Sequence, residues 1–497
     1  MVARPSKARV RAPKKIEIID DLVGPRSSLN THQIRANGWG TGLIESDAEF
    51  LPRRRALFYV TPRGKYLFSL LLATVWMLFS IWASQPWLHD LSRQIGFPLA
   101  VTIITMIAYV PGFMNMFLMS TIALDRRPPR MMPARYPAVS ILVACYNESQ
   151  SVADTLRSLA TQDYPGDYEV IVLDDGSTDD TLYVAGGIIE TDLAYGNPRA
   201  HFRIQHYPTN AGKSAVLNRG LEIASHELIV TVDGDSWLHS NALRHIVERK
   251  ISDPPGTRAV AGAVLARNAT VNMIAGVQEW DYFFGIAAVK RMQSMYHGTL
   301  VAQGAFSLYE RSALLEVGGW PHCVGEDIVL SWALLARGAR IGYAEDALVF
   351  TNVPDRFAQF ARQRKRWSRG LMEAFRHHWR LLFKGRMSTL FVWWNLLFLP
   401  LDLTYTFAFV PGILLALFGY YWLVSLWTLL ILPLTLLWTG VIYRVQHRML
   451  QRQHLKLRHK PVSVMLYVFL YSIILQPVCV WGYAAELMGL RKKWDTK

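Results

Sequence analysis

Cysteine is scarce in this chain: Cys145, Cys323 and Cys479 are the only three in 497 residues, widely spaced and without a C-x-x-C pair. That excludes a disulfide framework or a cysteine-built zinc site and fits a reducing compartment. Charge is thin as well, with Asp, Glu, Lys and Arg together making 18% of the residues. Acids are the scarcer sign, 38 against 53 bases, for a net charge of +15. Residues 1–65 hold thirteen Lys/Arg against six Asp/Glu and no early apolar run, so a basic cytoplasmic tail is expected there rather than a cleaved signal peptide.

Apolar residues are abundant, at 51% of the chain, 12% of it aromatic. A strongly basic chain that is also this apolar is expected to separate the two properties into membrane segments and basic flanks. Nucleic acid could account for the charge, but it does not call for apolar runs of membrane length. Tyr66–Ser84 and Phe97–Leu124 are such runs, uncharged and near the ~20 residues that a spanning helix needs. Arg53, Arg54, Arg55, Arg63 and Lys65 precede the first, and Asp125-Arg126-Arg127 follows the second. Cytoplasmic loops carry the excess of bases, which places both the N-terminus and the region after Leu124 inside. Three further runs, Leu390–Phe418, Tyr420–Tyr443 and Val462–Leu490, are charged only at Asp402 and Glu486. The loop Arg444–Lys460, with six Lys/Arg and no acid, separates the last two, and Arg491-Lys492-Lys493 ends the series. Two spans before the soluble region and about three after it are therefore expected. An odd total sends the basic C-terminus outside, against the charge rule, unless a segment near Pro400 re-enters or lies in the interface.

Residues 137–350 have a different pattern. Strand-like runs at Val139–Cys145, Tyr168–Leu173, Phe202–His206 and Glu227–Val232 alternate with helical patterns at Ser149–Ala160 and Ala211–Ala224. Repeated β-α units predict an α/β, Rossmann-like parallel sheet with its binding residues in the loops after the strands. Residues 354–386 then form a basic amphipathic stretch with Leu371, Phe375 and Trp379 four apart, the pattern of helices lying in a membrane interface.

Six elements carry chemistry. Leu228–Val232 is followed by Asp233 and Asp235, two carboxylates at the carboxyl end of a predicted strand. Such a pair suits Mg²⁺ or Mn²⁺, which prefer oxygen ligands, although a lone D-x-D also reads as an Asx turn. Tyr146-Asn147-Glu148 and Asp174-Asp175-Gly176-Ser177 close two other strands, and Gly212-Lys213 opens a helix. Gly325-Glu326-Asp327 precedes an apolar helix, and Gln363-x-x-Arg366-Trp367 lies in the amphipathic stretch.

In this order, between membrane-length runs, these motifs resemble those of family 2 glycosyltransferases, and more narrowly of the membrane-embedded processive β-glycan synthases. That group makes cellulose, chitin, hyaluronan and poly-N-acetylglucosamine, and the resemblance extends over residues 66–490. It implies a GT-A glycosyltransferase domain at 137–350, inserted between transmembrane helices at 66–124 and 388–490, with amphipathic interface helices at 354–386 and a basic end at 491–497. It also implies a multi-pass protein of a bacterial inner membrane with its catalytic domain in the cytoplasm.

The roles implied by the resemblance agree with the chemistry of the residues. A divalent ion would neutralise the leaving diphosphate, with Asp235 as the firmer ligand and Asp233 reaching the metal or the ribose. Asp175, with Asp174 beside it, takes the position that holds uracil. Glu148 belongs to the nucleotide crevice, and Lys213 offers charge to the nucleotide. Inversion needs a base for the acceptor hydroxyl, the place of Asp327, whose pKa Glu326 would raise by like-charge proximity. Arg366 suits the diphosphate, and Gln363 and Trp367 suit the acceptor. Gly304, in Gln303-Gly304-Ala305-Phe306, matches an acceptor-contacting stretch that more commonly begins Ser-Gly or Cys-Gly.

The activity expected is elongation of a β-linked polysaccharide from a UDP-sugar, with UDP-GlcNAc the first choice, and export of the product. A β-glucan synthase using UDP-glucose and a single transfer to a membrane lipid are the alternative enzymes. A non-catalytic scaffold would tolerate Asp327→Asn. A small membrane accessory subunit is a further expectation, and nucleic acid is not an expected partner.

Overall fold

The computed structural model describes residues 60–127, 130–193, 197–425, 431–455 and 461–491; the tail before residue 60 and the basic end from 492 lie outside the described residues. Eight strands form one sheet in the order β3-β2-β1-β4-β7-β6-β8-β5. They are β1 (Val139–Cys145), β2 (Tyr168–Asp175), β3 (Ala200–Tyr207), β4 (Leu228–Asp233), β5 (Trp237–Leu238), β6 (Thr257–Ala266), β7 (Phe306–Glu310) and β8 (Arg340–Thr351).

β1 pairs in parallel with both β2 and β4, and β2 in parallel with β3. β2 is buried along its whole length and β1 nearly so, as expected of parallel strands covered on both faces. Alternate β1 side chains serve opposite faces: Ile141 and Val143 join one core, and Leu142 the other. Beyond β4 the expectation of an all-parallel sheet fails. β7 runs antiparallel to β4 and to β6, while β6 and β8 are parallel. The sheet is mixed because β7 enters its centre from a long helical excursion after β6, and no local turn signal announces that pairing. Gly262 of β6 makes room for it, since a Cβ there would meet the Phe306 ring at 2.2 Å.

Four helices among the described residues are long and apolar enough to cross a membrane: Pro62–Ala83, Phe97–Ala123, Thr389–Leu417 and Pro461–Leu487, here the first to fourth spans. The expected run Tyr420–Tyr443 falls partly on residues 426–430, outside the described residues. A helix continues over Ile431–Arg452, and its Gln446 side chain donates to the Phe283 carbonyl at 3.2 Å, so this end packs on the soluble domain. One apolar core runs from the sheet into the spans, with Tyr66, Phe117, Tyr296, Phe391 and Trp394 in edge and tilted ring contacts. Asp125, just past the second span, forms buried ion pairs with Arg127 and Arg291, and Arg127 reaches Glu345 of β8 at 3.1 Å. In the third span Asp402 accepts from Tyr483 of the fourth at 2.9 Å, which partners its only charge.

Candidate active site

Register brings the motif residues to one edge of the sheet. Cys145 lies opposite Asp174 and Ala144 opposite Asp233, so the loops after β1, β2 and β4 open side by side. This is where the strand order reverses, β1 standing between β2 and β4, and such carboxyl-edge crevices are where open α/β sheets bind ligands.

The first two loops interlock. Asn147, with φ of 56°, accepts from the Thr178 N–H at 2.8 Å, while its own N–H donates to Ser177 Oγ at 2.9 Å. The Glu148 N–H donates to Thr181 Oγ1 at 2.7 Å. Asp179 accepts from the Ser149 and Thr181 N–H groups; burial opposes its charge, but these hydrogen bonds hold its pKa down at about 2. Gly176 has φ of +70°, and a Cβ on it would strike the Asn210 nitrogen at 2.8 Å.

Asp174 and Asp175 are both buried, 1% and 3% exposed, and face different partners. Asp175 accepts from the Ala211 and Gly212 N–H groups at 2.9 and 2.8 Å, anchoring the loop that starts helix Lys213–Ile223. Asp174 Oδ2 meets His206 Nδ1 at 2.7 Å, while Oδ1 is buried with no hydrogen-bond partner among the described residues. A buried carboxylate oxygen of this kind is suited to an N–H donor of a bound base.

Lys213 links the strand edge to the Glu326-Asp327 turn. Its ammonium pairs with Asp233. Burial alone would lower its pKa, but Asp233, Glu326 and Asp327 outweigh that and raise it. Gly304 lies directly beneath, since a Cβ there would sit 2.6 Å from Lys213 Nζ and 3.8 Å from Glu326 Oε1. Gly234 is equally constrained: a Cβ would meet Cys145 Sγ at 2.9 Å, so the middle residue of the D-x-D has to be small for β4 to close against β1. Asp235 faces the Thr351 hydroxyl at 3.3 Å and the Ser236 hydroxyl at 3.5 Å.

Among the described residues no three His, Cys, Asp or Glu side chains converge as a complete metal cage. The D-x-D pair offers two carboxylates, Asp235 with hydroxyls beside it and Asp233 paired with the Lys213 ammonium. Carboxylate oxygens suit a Mg²⁺- or Mn²⁺-class ion, which these two residues would hold in part.

Glu326 and Asp327 open the helix Glu326–Ala336. Asp327 Oδ1 accepts from the Ile328 N–H at 2.8 Å, and the Ser331 hydroxyl bonds back to the Asp327 carbonyl at 2.7 Å. Burial first and Asp327 second push the Glu326 carboxyl up to about 8, against the pull of Lys213 and Arg366.

The far wall is the helix Phe357–His378, which carries Gln363, Arg366 and Trp367. Its buried face is unexpectedly polar, with Arg364, Arg369 and Glu373 all turned inward. Each has a partner, as buried charges require. Glu373 accepts from the Gly325 N–H at 2.9 Å, which ties this helix to the Glu326-Asp327 turn. Arg369 donates to Glu486 of the fourth span at 2.9 Å and to the Leu490 carbonyl at 2.7 Å. Arg364 pairs with Asp281 at 2.9 Å. Two glycines set the closeness of the first contact: a Cβ on Gly325 would lie 2.5 Å from the Gly370 Cα. Gly482 of the fourth span touches the same helix, and a Cβ there would overlap Ser368 Oγ at 1.9 Å.

Trp367 is 39% exposed beside the Tyr282 ring, centroids 6.4 Å apart. The Gln363 side-chain oxygen is buried without a hydrogen-bond partner among the described residues, and Arg366 acts on Glu326 and Tyr282 through its charge. Sequence reasoning missed Gly370, Glu373 and Tyr282. Only Gly370 left a usable signal, a glycine inside an otherwise long helical pattern, which often marks a close backbone approach.

Residues 137–370 match the family model described as Glycosyltransferase like family 2. A poly-beta-1,6-N-acetyl-D-glucosamine synthase of Staphylococcus epidermidis is 33% identical over 234 residues, 47% of this chain and 54% of the relative. The enzyme of the same name from Staphylococcus aureus (strain COL) is 31% identical over 233 residues, 47% of this chain and 54% of that one. The chain thus spans about half the length of the curated relatives it matches. Among solved structures, a mannosyltransferase of Pyrobaculum calidifontis in complex with GDP-Man and Mn²⁺ superposes with a TM-score of 0.55 at 20% identity, covering 79% of this chain and 99% of that one. That similarity is one of fold, and it is the GT-A type of α/β fold expected from the motifs. Residues 137–370, held between helices of membrane length, are a glycosyltransferase family 2 domain.

Proposed function

We propose that this chain is an inverting hexosyltransferase that elongates a β-linked poly-N-acetylglucosamine from UDP-GlcNAc and passes it through its own membrane helices. One observation carries the reading: Lys213, Asp233, Gly304, Glu326 and Asp327 meet at the carboxyl edge of the sheet, and the helix bearing Trp367 is locked against them through Gly325 and Glu373. The relatives named as poly-N-acetylglucosamine synthases support the choice of sugar.

The uracil is assigned to the buried edge at Asp174 and Asp175, with Glu148 in the same crevice. Asp235 and Asp233 would hold a Mg²⁺ or Mn²⁺ ion, which when bound would neutralise the charge developing on the diphosphate. Lys213 and Arg366 add protein cations on the same side of the reacting centre. The acceptor hydroxyl attacks the anomeric carbon from the face opposite the diphosphate, the carbon–diphosphate bond breaks, and Asp327 takes the hydroxyl proton. The Ile328 N–H, at 2.8 Å, fixes the carboxylate that must receive it. With its pKa at about 8, Glu326 is protonated at pH 7 and adds no charge beside the departing UDP. Gln363 and Trp367 line the acceptor end, where an indole face suits a sugar ring.

We place the domain on the cytoplasmic side of a bacterial plasma membrane, with two described spans before it and two after. The test is a donor screen on the purified full chain in lipid nanodiscs, with Mg²⁺ or Mn²⁺ and radiolabelled UDP-GlcNAc, UDP-glucose, UDP-glucuronate or GDP-mannose. High-mass β-linked GlcNAc polymer from UDP-GlcNAc is the expected product. Product arrested at one sugar per lipid would sink processive elongation, and polymer from UDP-glucose alone would point to a glucan synthase.

A further inference from the structure

The second residue of the Gln363-Arg364-Lys365-Arg366-Trp367 stretch has no role in the chemistry above, yet it is one of the most enclosed cations in the molecule. Arg364 is 4% exposed. Its guanidinium lies 4.0 Å from the centre of the Trp367 ring and 5.2 Å from that of Phe360. The spacing explains the stack, because residues three and four apart share one face of a helix. Arg364 Nη2 stands 2.9 Å from Asp281 Oδ2, an ion pair not aligned as a hydrogen bond, and Nε has no hydrogen-bond partner among the described residues.

Asp281 begins a π-helical segment, Asp281–Ala287, beneath the sheet, and π-turns of this kind recur at functional sites. A Cβ on Gly285 would lie 2.8 Å from Asp281 Oδ1 and 3.3 Å from the Tyr467 hydroxyl, so the carboxylate borders the fourth span. The next residue, Tyr282, is the one whose ring borders Trp367. Neighbouring residues of one turn thus hold the indole twice, Tyr282 directly and Asp281 through Arg364.

We propose that Arg364 is a positioning residue: stacked on Trp367 and anchored by Asp281, it fixes the plane of the indole that receives the acceptor sugar and couples that plane to the fourth membrane span. This rests on the assignment of Trp367 to the acceptor end. An exposed indole held only by its own rotamers would offer the sugar a changing surface. A buried cation over one ring face removes that freedom, and cation–π attraction strengthens where water is excluded.

The experiment compares wild type, Arg364→Lys and the charge exchange Asp281→Arg with Arg364→Asp, each as full chain in nanodiscs. UDP-GlcNAc hydrolysis without acceptor, elongation of an added GlcNAc oligomer and recovery of folded protein are measured side by side. Arg364→Lys keeps the charge but loses the planar stack. It should raise the acceptor KM about tenfold and shorten the product, with donor KM and hydrolysis within about twofold of wild type. The charge exchange restores an ion pair without a guanidinium over Trp367, so it should recover folded protein and hydrolysis but not elongation. Wild-type elongation in Arg364→Lys, full rescue of elongation by the exchange, or hydrolysis falling in step with elongation would each overturn the proposal. Wild-type protein that transfers sugar from no UDP donor would instead overturn the glycosyltransferase reading beneath it.

Discussion

The two walls of the site are built in different ways. The wall assigned above to the nucleotide consists of strand ends and the turns that follow them, each motif held by backbone bonds to the next loop, as Asp175 is to Ala211 and Gly212. The wall assigned to the acceptor is one helix far along the chain, whose place depends on a glycine contact, a carboxylate on the Gly325 N–H and ion pairs to the fourth span and to Asp281. The first wall is therefore fixed by the sheet itself. The second is docked, and is expected to respond to changes that leave nucleotide binding untouched.

The largest effects should appear where the walls meet. Asp235→Ala should reduce transfer to background while the protein still inserts and elutes as a folded species, and EDTA should reproduce that loss in wild type with recovery on adding Mg²⁺ or Mn²⁺. Wild-type turnover in Asp235→Ala would remove the metal assignment. Asp327→Asn should slow transfer by about 10³-fold, within the range of general-base removal, with UDP affinity by calorimetry unchanged. A loss of UDP affinity instead would move Asp327 to the nucleotide wall.

Gly370→Ala probes the docked wall alone. Its Cβ would lie 2.8 Å from the Gly325 Cα, a backbone atom that cannot yield without moving the Glu326-Asp327 turn. Elongation should fall by about 10²-fold, the scale of a 1 Å misplacement, while UDP binding stays at the wild-type value. Equal losses of both would mean that the two walls are one unit.

The smallest effect is a pH dependence. The Glu326 pKa rises from 4.5 to about 8 on folding, so the folded chain holds a proton that the unfolded chain releases. Its contribution to stability is therefore full below the unfolded pKa and is lost as pH climbs toward 8. Thermal unfolding of Glu326→Gln should show a flatter decline between pH 5 and about 8 than wild type does. Parallel curves would place the proton elsewhere.

Legibility followed the same division. β1 was marked at its observed bounds, and β2 and β4 within two residues, because strands buried on both faces read as unbroken apolar runs. Their polar turns were visible for the same reason. β6 and β7 were not, since Ala259, Ala261, Gly262 and Ala263 offer no alternation and the pairing of β6 with Ser307, Leu308 and Tyr309 is long-range. On the helix, Gln363, Arg366 and Trp367 were legible as a motif. The inward turn of Arg364, Arg369 and Glu373 was not, because a charged residue in sequence reads as solvent-facing until its partner is known.

By itself the sequence determined the four apolar spans found among the described residues, the α/β half of the sheet and the types of residue at the site, since these depend on local periodicity and on what each side chain can do. Tertiary structure alone decided that β7 would enter the sheet antiparallel, that Glu326 would be buried beside Asp327 with its pKa raised, and that a polar helix face would bury itself against Gly325, Asp281 and Glu486. Those outcomes turn on which distant groups share a low-dielectric space, where an unpaired charge is costly and a paired one fixes geometry, and no local pattern records who the partner is.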